Sequence, residues 1–319
     1  MSAPAQVRGM TLLAFLVAMA LGAMLLLLAA DLVVVSRHSL RWQAAATDLE
    51  RAGARALGVI EDELRAAGFR AGVDVAAPPP NAPGCGVADG WALALFPALA
   101  FADRGADGGY QLSDGSLPDC LPLGSLQTRS DILALRRTAL LPSAALPGLS
   151  ARRVRASQWY LFTEDTGSGD FHYLGNNAGP GDLPSGSRQA WEWRNVIFYV
   201  RDYSVSPRDG VPTLCVEQLQ GAGMRSQCLV EGIERLHLEF SLDRDGDGAG
   251  DDRVLTPTAA ELRLALRATV YLHGRSLEAL RASRDVQVLD LGGEEVVIPA
   301  GDPHLHRVFV RTVPLVNLG

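Results

Sequence analysis

The densest group of potential ligand atoms in the chain is the run Asp243 to Asp252, reading DRDGDGAGDD. Carboxylates at alternate positions, with glycines to turn the backbone, supply the oxygen cage that a hard cation such as calcium needs. Asp243, Asp245 and Asp247 followed by Gly248 reproduce the opening of a helix–loop–helix calcium loop. The closing position of such a loop, where a bidentate Glu belongs, is Val254, and no flanking helices are expected. Asp251 or Asp252 would have to supply the missing ligand. The run is open to two readings, a weak Ca2+ site or a solvated acidic turn, and Ca2+ is the one cofactor the sequence suggests.

Other reactive residue types are scattered. His304 and His306 form an H-x-H pair with no Cys or carboxylate cluster joined to them in sequence, so solvated surface histidines are expected. His237 falls on the outward parity of its strand, and His172 and His273 stand alone. There is no G-x-S-x-G elbow and no glycine loop in a phosphate-binding context. No Ser or Cys has local surroundings that would activate it. The expectation is a protein that is not an enzyme. A net charge of -7, with no basic run longer than a pair, excludes a nucleic-acid surface.

The four cysteines, Cys85, Cys120, Cys215 and Cys228, show no CxxC spacing and are expected to be disulfides in an oxidising compartment. The segment Thr213 to Ile233, TLCVEQLQGAGMRSQCLVEGI, reads as a hairpin. A turn centred on Gly221 and Ala222, a Gly-X pair suited to type II′, sets Cys215 opposite Cys228, close enough to bridge. By elimination Cys85 pairs with Cys120, closing a ring that the chain-entropy model stabilises by roughly 3 to 4 kcal/mol.

These groups must be positioned by the rest of the chain. Met10 to Ala30 carries no charge and, as a helix, is ~30 Å long, enough to span a bilayer core. From Ser36 to Ala67 there is no Pro, and Leu49, Gly53, Ala56, Ile60 and Leu64 recur at three- and four-residue intervals, an apolar stripe that must lie on something. Gly68 is the expected C-terminal cap. Residues 71–90, rich in Ala, Pro and Gly, form a loop, and apolar runs follow at Trp91 to Phe96 and Ile132 to Leu135. Period-two alternation marks Leu236, Leu238, Phe240 and Leu242, then Leu262, Leu264, Leu266, Ala268, Val270 and Leu272, and finally Val308, Val310 and Thr312. These are strands of an antiparallel sheet with one covered face, and the long helix is the natural cover. Trp159, Tyr160, Trp191 and Trp193 are expected as strand aromatics.

The residue before the apolar run is Gly9, directly after Arg8, so cleavage between Gly9 and Met10 would leave the helix on the mature chain. This resembles the signal of type IV pilins and pseudopilins, although Ala14 stands where that class carries Glu. ELRAAGFRAG at the end of the helix, SDILAL at 130–135, VIFYV at 196–200, CLVEGIERLHLEFSLDRDGDG at 228–248 and the C-terminal RVFVRTVPLVNLG resemble the PilW-like minor pilins and occur in the order expected of them. The resemblance covers both ends and much of the middle, while 71–128 and 274–300 match little.

It implies an α+β pilin-like fold: a leader at 1–9, a membrane or fibre-core helix at 10–35, an amphipathic half at 36–68 and an exported, loop-rich β domain at 69–319. It implies processing by prepilin peptidase, N-methylation, an inner-membrane stage with the C-terminal domain in the periplasm, and later a place at a pilus tip or cell surface. The implied partners are other minor pilins and the major pilin. A minor pseudopilin of a type II secretion system, a membrane-tethered calcium-dependent binding module and an anchored exported enzyme are the alternatives. A subunit with Ala14 cannot neutralise a neighbour's N-terminal amine as the family's Glu is thought to do, which suits a position at the extreme tip.

Overall fold

The computed structural model describes residues 12–79, 84–85, 90–104, 109–145, 154–164, 167–175, 189–221, 223–280 and 282–318. The chain divides into two compact units, 1–47 and 48–319. The described part of the first unit is helix, the opening of α1 (Leu12–Ala66). Leu- and Ala-rich composition without an internal Pro favours this conformation throughout. From Ala14 to Ala44 every residue is exposed except Gly22, which is half-buried, and among the exposed are Phe15, Leu26 and Val34. α1 is long and apolar enough near the N-terminus to cross a membrane.

The second unit begins with the amphipathic half of α1. Its stripe is the predicted one: Leu49, Ala56, Ile60 and Leu64 are buried in the main core, and Gly53 is buried beside them. The helix stops at Gly68, which adopts the left-handed φ of 80° that favours glycine. A Cβ there would lie on the carbonyl oxygen of Asn317, so the C-terminal segment closes over the helix end.

The larger sheet has eight strands: β1 (Leu99–Ala102), β2 (Ile132–Thr138), β3 (Ala144–Ala145), β4 (Gln158–Thr163), β5 (Gly169–Leu174), β6 (Gln189–Arg201), β7 (Thr213–Gln220) and β8 (Gly223–Glu231). The long β6 is its axis, with one half paired to β3 and β4 and the other to β2 and β7. The four-stranded sheet runs β10-β9-β11-β14, built from β9 (Ile233–Leu242), β10 (Asp252–Val254), β11 (Ala265–Arg275) and β14 (His306–Pro314). All its pairings are antiparallel. A separate hairpin joins β12 (Gln287–Leu291) to β13 (Glu294–Ile298).

The main core lies among the α1 stripe, one face of the four-stranded sheet and residues of β1, β2, β6 and β7. The other face of the large sheet packs a second core under Trp91, Leu93 and Trp193. Trp159, Tyr160, Trp191 and Trp193 are all buried strand residues, as expected. The apolar run from Trp91 opens as a short 3-10 turn, Trp91–Leu93.

Two stretches of alternation depart from the sequence reading. Leu236, Leu238, Phe240 and Leu242 point into the core as predicted, but Leu264 is exposed and Leu266 half-buried. The cause is α2 (Ala259–Leu262), a helical turn closed by a capping box between Thr258 and Glu261. After it a register shift between Ala265 and Arg267 sets the inward face at Ala265, Ala268, Val270 and Leu272. In β14 the inward residues are Phe309 and Val313, while Val310 and Thr312 are exposed and Val308 packs beside the β12–β13 hairpin. Covering of the outer face by that hairpin supplies the second apolar set in β14.

Candidate functional site

The strongest polar construction joins the two sheets at the start of β2. Ser130 and Asp131 are both buried. Ser130 Oγ accepts from the Leu236 amide at 3.0 Å and Asp131 Oδ2 from the Leu238 amide at 2.8 Å. The Asp131 amide in turn donates to the Leu236 carbonyl at 2.8 Å. His237, expected to face outward, is buried because this carboxylate lies against it, with Nδ1 3.1 Å from Asp131 Oδ2. Burial pushes the Asp131 carboxyl up to about 6, against its hydrogen bonds from His237 and Leu238. Burial alone would lower His237, but Asp131 reverses this and leaves it raised. On β7 the buried Glu217 carboxyl is pushed up to about 7 by desolvation.

The helix is fixed to the sheets by charge as well as by its stripe. Arg137 at the end of β2 clamps Glu63 through Nε–Oε2 at 2.6 Å and Nη2–Oε1 at 2.8 Å, a bidentate pair that is mostly buried. Arg307 on β14 pairs with Glu50, and Arg311 with Glu61 at 3.5 Å. Glu63 escaped the sequence reading; the signal for it was the Arg136-Arg137 pair ending an otherwise apolar strand.

The acidic run forms the loop between β9 and β10. Asp243, Asp245 and Asp247 can each bring one oxygen within 4.8 Å of the others. Asp243, however, already accepts from the Gly246 and Gly248 amides, Asp245 from Asp247 and Asp247 from Ala249. Asp251 and Asp252 are not brought to this group: Asp251 accepts from the Arg244 amide, and Asp252 pairs with the Arg244 side chain at 2.5 Å.

The hairpin is as predicted, with Gln220 paired to Gly223 across the two-residue turn 221–222 and Cys215 opposite Cys228. Gly221 has a φ of 61°, and Ala222 lies outside the described residues. Both expected disulfides, Cys215–Cys228 and Cys85–Cys120, are formed. Ala14 is exposed on α1, whereas the cleavage pair Gly9 and Met10 lies outside the described residues.

His304 and His306 are not the solvated pair expected. His273 and His306 are buried and in contact, His273 Nε2 lying 3.0 Å from His306 Nδ1 with the rings stacked. Glu234 Oε2 stands 3.2 Å from His273 Nδ1, and Asp302 Oδ1 stands 3.2 Å from His306 Nε2. His304 is half-buried, its Nδ1 2.7 Å from the Ser276 carbonyl. Strand pairing between β11 and β14 creates this cluster from residues more than thirty positions apart, which no local spacing could reveal.

Neither a curated protein nor a solved structure matches the chain. Residues 197–317, from the middle of β6 to the segment that closes over the helix end, match the family model described as Type IV Pilus-assembly protein W. That match, over little more than a third of the chain, together with the exposed apolar helix, the antiparallel sheets and the two disulfides, supports a PilW-like protein of type IV pilus assembly.

Proposed function

We propose that the chain is a minor pilin that primes or caps the fibre. The observation that carries this reading is the contrast within α1: Ala14 to Ala44 exposes its apolar side chains, while the stripe from Leu49 onward is buried in the chain's own core. A helix of the first kind needs a bilayer or other helices around it. Prepilin peptidase would cut between Gly9 and Met10, followed by N-methylation. The subunit would wait in the inner membrane with its β domain in the periplasm and then bundle with other minor pilins and the major pilin. The role is one of packing, without catalysis.

Ala14 supports a place at the extreme tip, where no carboxylate is needed to meet a neighbour's amine. N-terminal sequencing of the purified protein is expected to give a start at Met10. A start elsewhere would refute processing as a pilin. Deletion is expected to abolish surface pili and leave protein secretion intact, and the reverse pattern would assign the subunit to a type II secretion system. Cross-linking that placed the subunit along the shaft would overturn the tip position.

A further inference from the structure

We propose that Glu234, His273 and His306 form a site for a divalent zinc ion, with Asp302 orienting His306. The three residues lie on β9, β11 and β14, neighbouring strands of the four-stranded sheet, so one ion would cross-link all three.

The argument rests on two orphaned nitrogens. His273 Nδ1 and His306 Nε2 are buried and make no hydrogen bond, although Glu234 Oε2 stands 3.2 Å from the first and Asp302 Oδ1 3.2 Å from the second. The rings themselves meet through His273 Nε2 and His306 Nδ1 at 3.0 Å. A cation held by His273 Nδ1, His306 Nδ1 and Glu234 Oε2 would take up the orphaned His273 nitrogen in place of that ring–ring bond. His306 Nε2 would then carry the N–H and turn it to Asp302, as metal-bound histidines commonly do.

Charge and geometry agree. Arg235 is engaged by Glu294 at 3.1 Å, and Arg275 contacts Glu234 Oε1 at 3.3 Å, leaving Oε2 toward the histidines. Glu234 and Asp302 against Arg275 leave the cluster net negative. Tetrahedral zinc, with N and O ligands at about 2.0 to 2.2 Å, requires ligand atoms about 3.3 Å apart. The His273 Nδ1 to Glu234 Oε2 distance of 3.2 Å and the His306 Nδ1 to Glu234 Oε2 distance of 3.7 Å bracket that value. Two imidazoles and one carboxylate suit zinc rather than calcium or magnesium.

The test uses the full chain without a histidine tag, purified in detergent and stripped with a chelator. Zinc is added back, bound metal is measured by plasma mass spectrometry and the unfolding temperature is followed; cobalt(II) serves as a spectroscopic probe. The expected result is one zinc per chain, a raised unfolding temperature and the visible absorption of tetrahedral cobalt. His273→Gln and His306→Gln should lose all three, Asp302→Asn should weaken binding by about 10- to 100-fold, and Asp243→Asn should leave it unchanged. A wild-type chain that retains no zinc would overturn the proposal. So would His273→Gln or His306→Gln binding zinc as tightly as wild type.

Discussion

Two glycines on one helix should respond to the same substitution with opposite signs. Gly53 and Gly58 both lie in the amphipathic half of α1, and on propensity alone Gly→Ala in a helix interior stabilises by about 1 kcal/mol. A Cβ at Gly58 meets no atom within 4 Å, so Gly58→Ala should show that gain. A Cβ at Gly53 would lie 2.4 Å from Cε2 and Cζ of Phe309, far inside van der Waals contact. The ring has little room to retreat, since it also lies against Gly274. Forcing a methyl into such a core costs about 1 to 3 kcal/mol, so against the propensity gain Gly53→Ala should lose up to about 2 kcal/mol net. For a chain of this size each kcal/mol moves the melting temperature by about 2 to 4 °C, so the two variants should separate cleanly in thermal unfolding of the full chain in detergent. Phe309→Leu removes the colliding ring atoms, and in that background Gly53→Ala should lose most of its penalty, a coupling that a double-mutant cycle reads directly. If Gly53→Ala stabilises as Gly58→Ala does, Phe309 does not seat against α1 as described.

Three further outcomes are expected. Glu63→Gln, which leaves Arg137 mostly buried without its bidentate partner, should destabilise by about 3 kcal/mol, the low end for breaking a buried ion pair, and is read by the same thermal assay. Stability should fall as pH rises from about 4.5 through 7, because the unfolded chain releases carboxyl protons near 4 while folded Asp131 and Glu217 hold theirs to about 6 and about 7. The raised His237 acts in the same direction, stabilising below its unfolded value and ceasing to do so as pH passes its folded value. A melting profile over pH 4 to 8 that is the same in Glu217→Gln as in wild type would contradict the Glu217 share. Loss of Cys215–Cys228 should lower stability by about 2 to 3 kcal/mol, seen as a lower melting temperature of the Cys215→Ser, Cys228→Ser double variant without reductant and a smaller further drop with reductant, which then breaks only Cys85–Cys120.

What could be read in the sequence was whatever one element carries alone. The α1 stripe, the Gly68 cap, the β7–β8 turn and the inward set of β9 are each fixed by local periodicity or turn chemistry, and each is found in place. The misreadings arise where a second element decides. The Thr258 and Glu261 capping box was legible as S/T-x-x-E but was overridden by the leucine alternation that runs through it. The LGGEE turn of the β12–β13 hairpin was equally legible, and once it covers the outer face of the sheet, Tyr271 and Val308 pack against its small core. His237 is buried by Asp131 against the outward parity of its strand, while His273 and His306, which nothing local joins, are brought together across the sheet beside Glu234 and Asp302.

The same distinction bears on the blocks that carried the resemblance in the sequence. SDILAL and LHLEF are the segments stitched together by Ser130, Asp131 and the β9 amides. AAGFR and VNL meet at the helix end, where Gly68 passes under Asn317 and Asn317 Nδ2 donates to the Arg65 carbonyl at 3.3 Å. These blocks share one task, holding the amphipathic half of α1 against two sheets. The hairpin at 287–298, which the sequence blocks left as matching little, lies inside the stretch that the family model matches and packs its own small cluster. Under the proposed role, moving the exposed helix from a bilayer into a bundle of others would load its join to the β domain. Gly53 under Phe309, Glu63 in the Arg137 clamp and Gly68 under Asn317 are the points through which that load would pass.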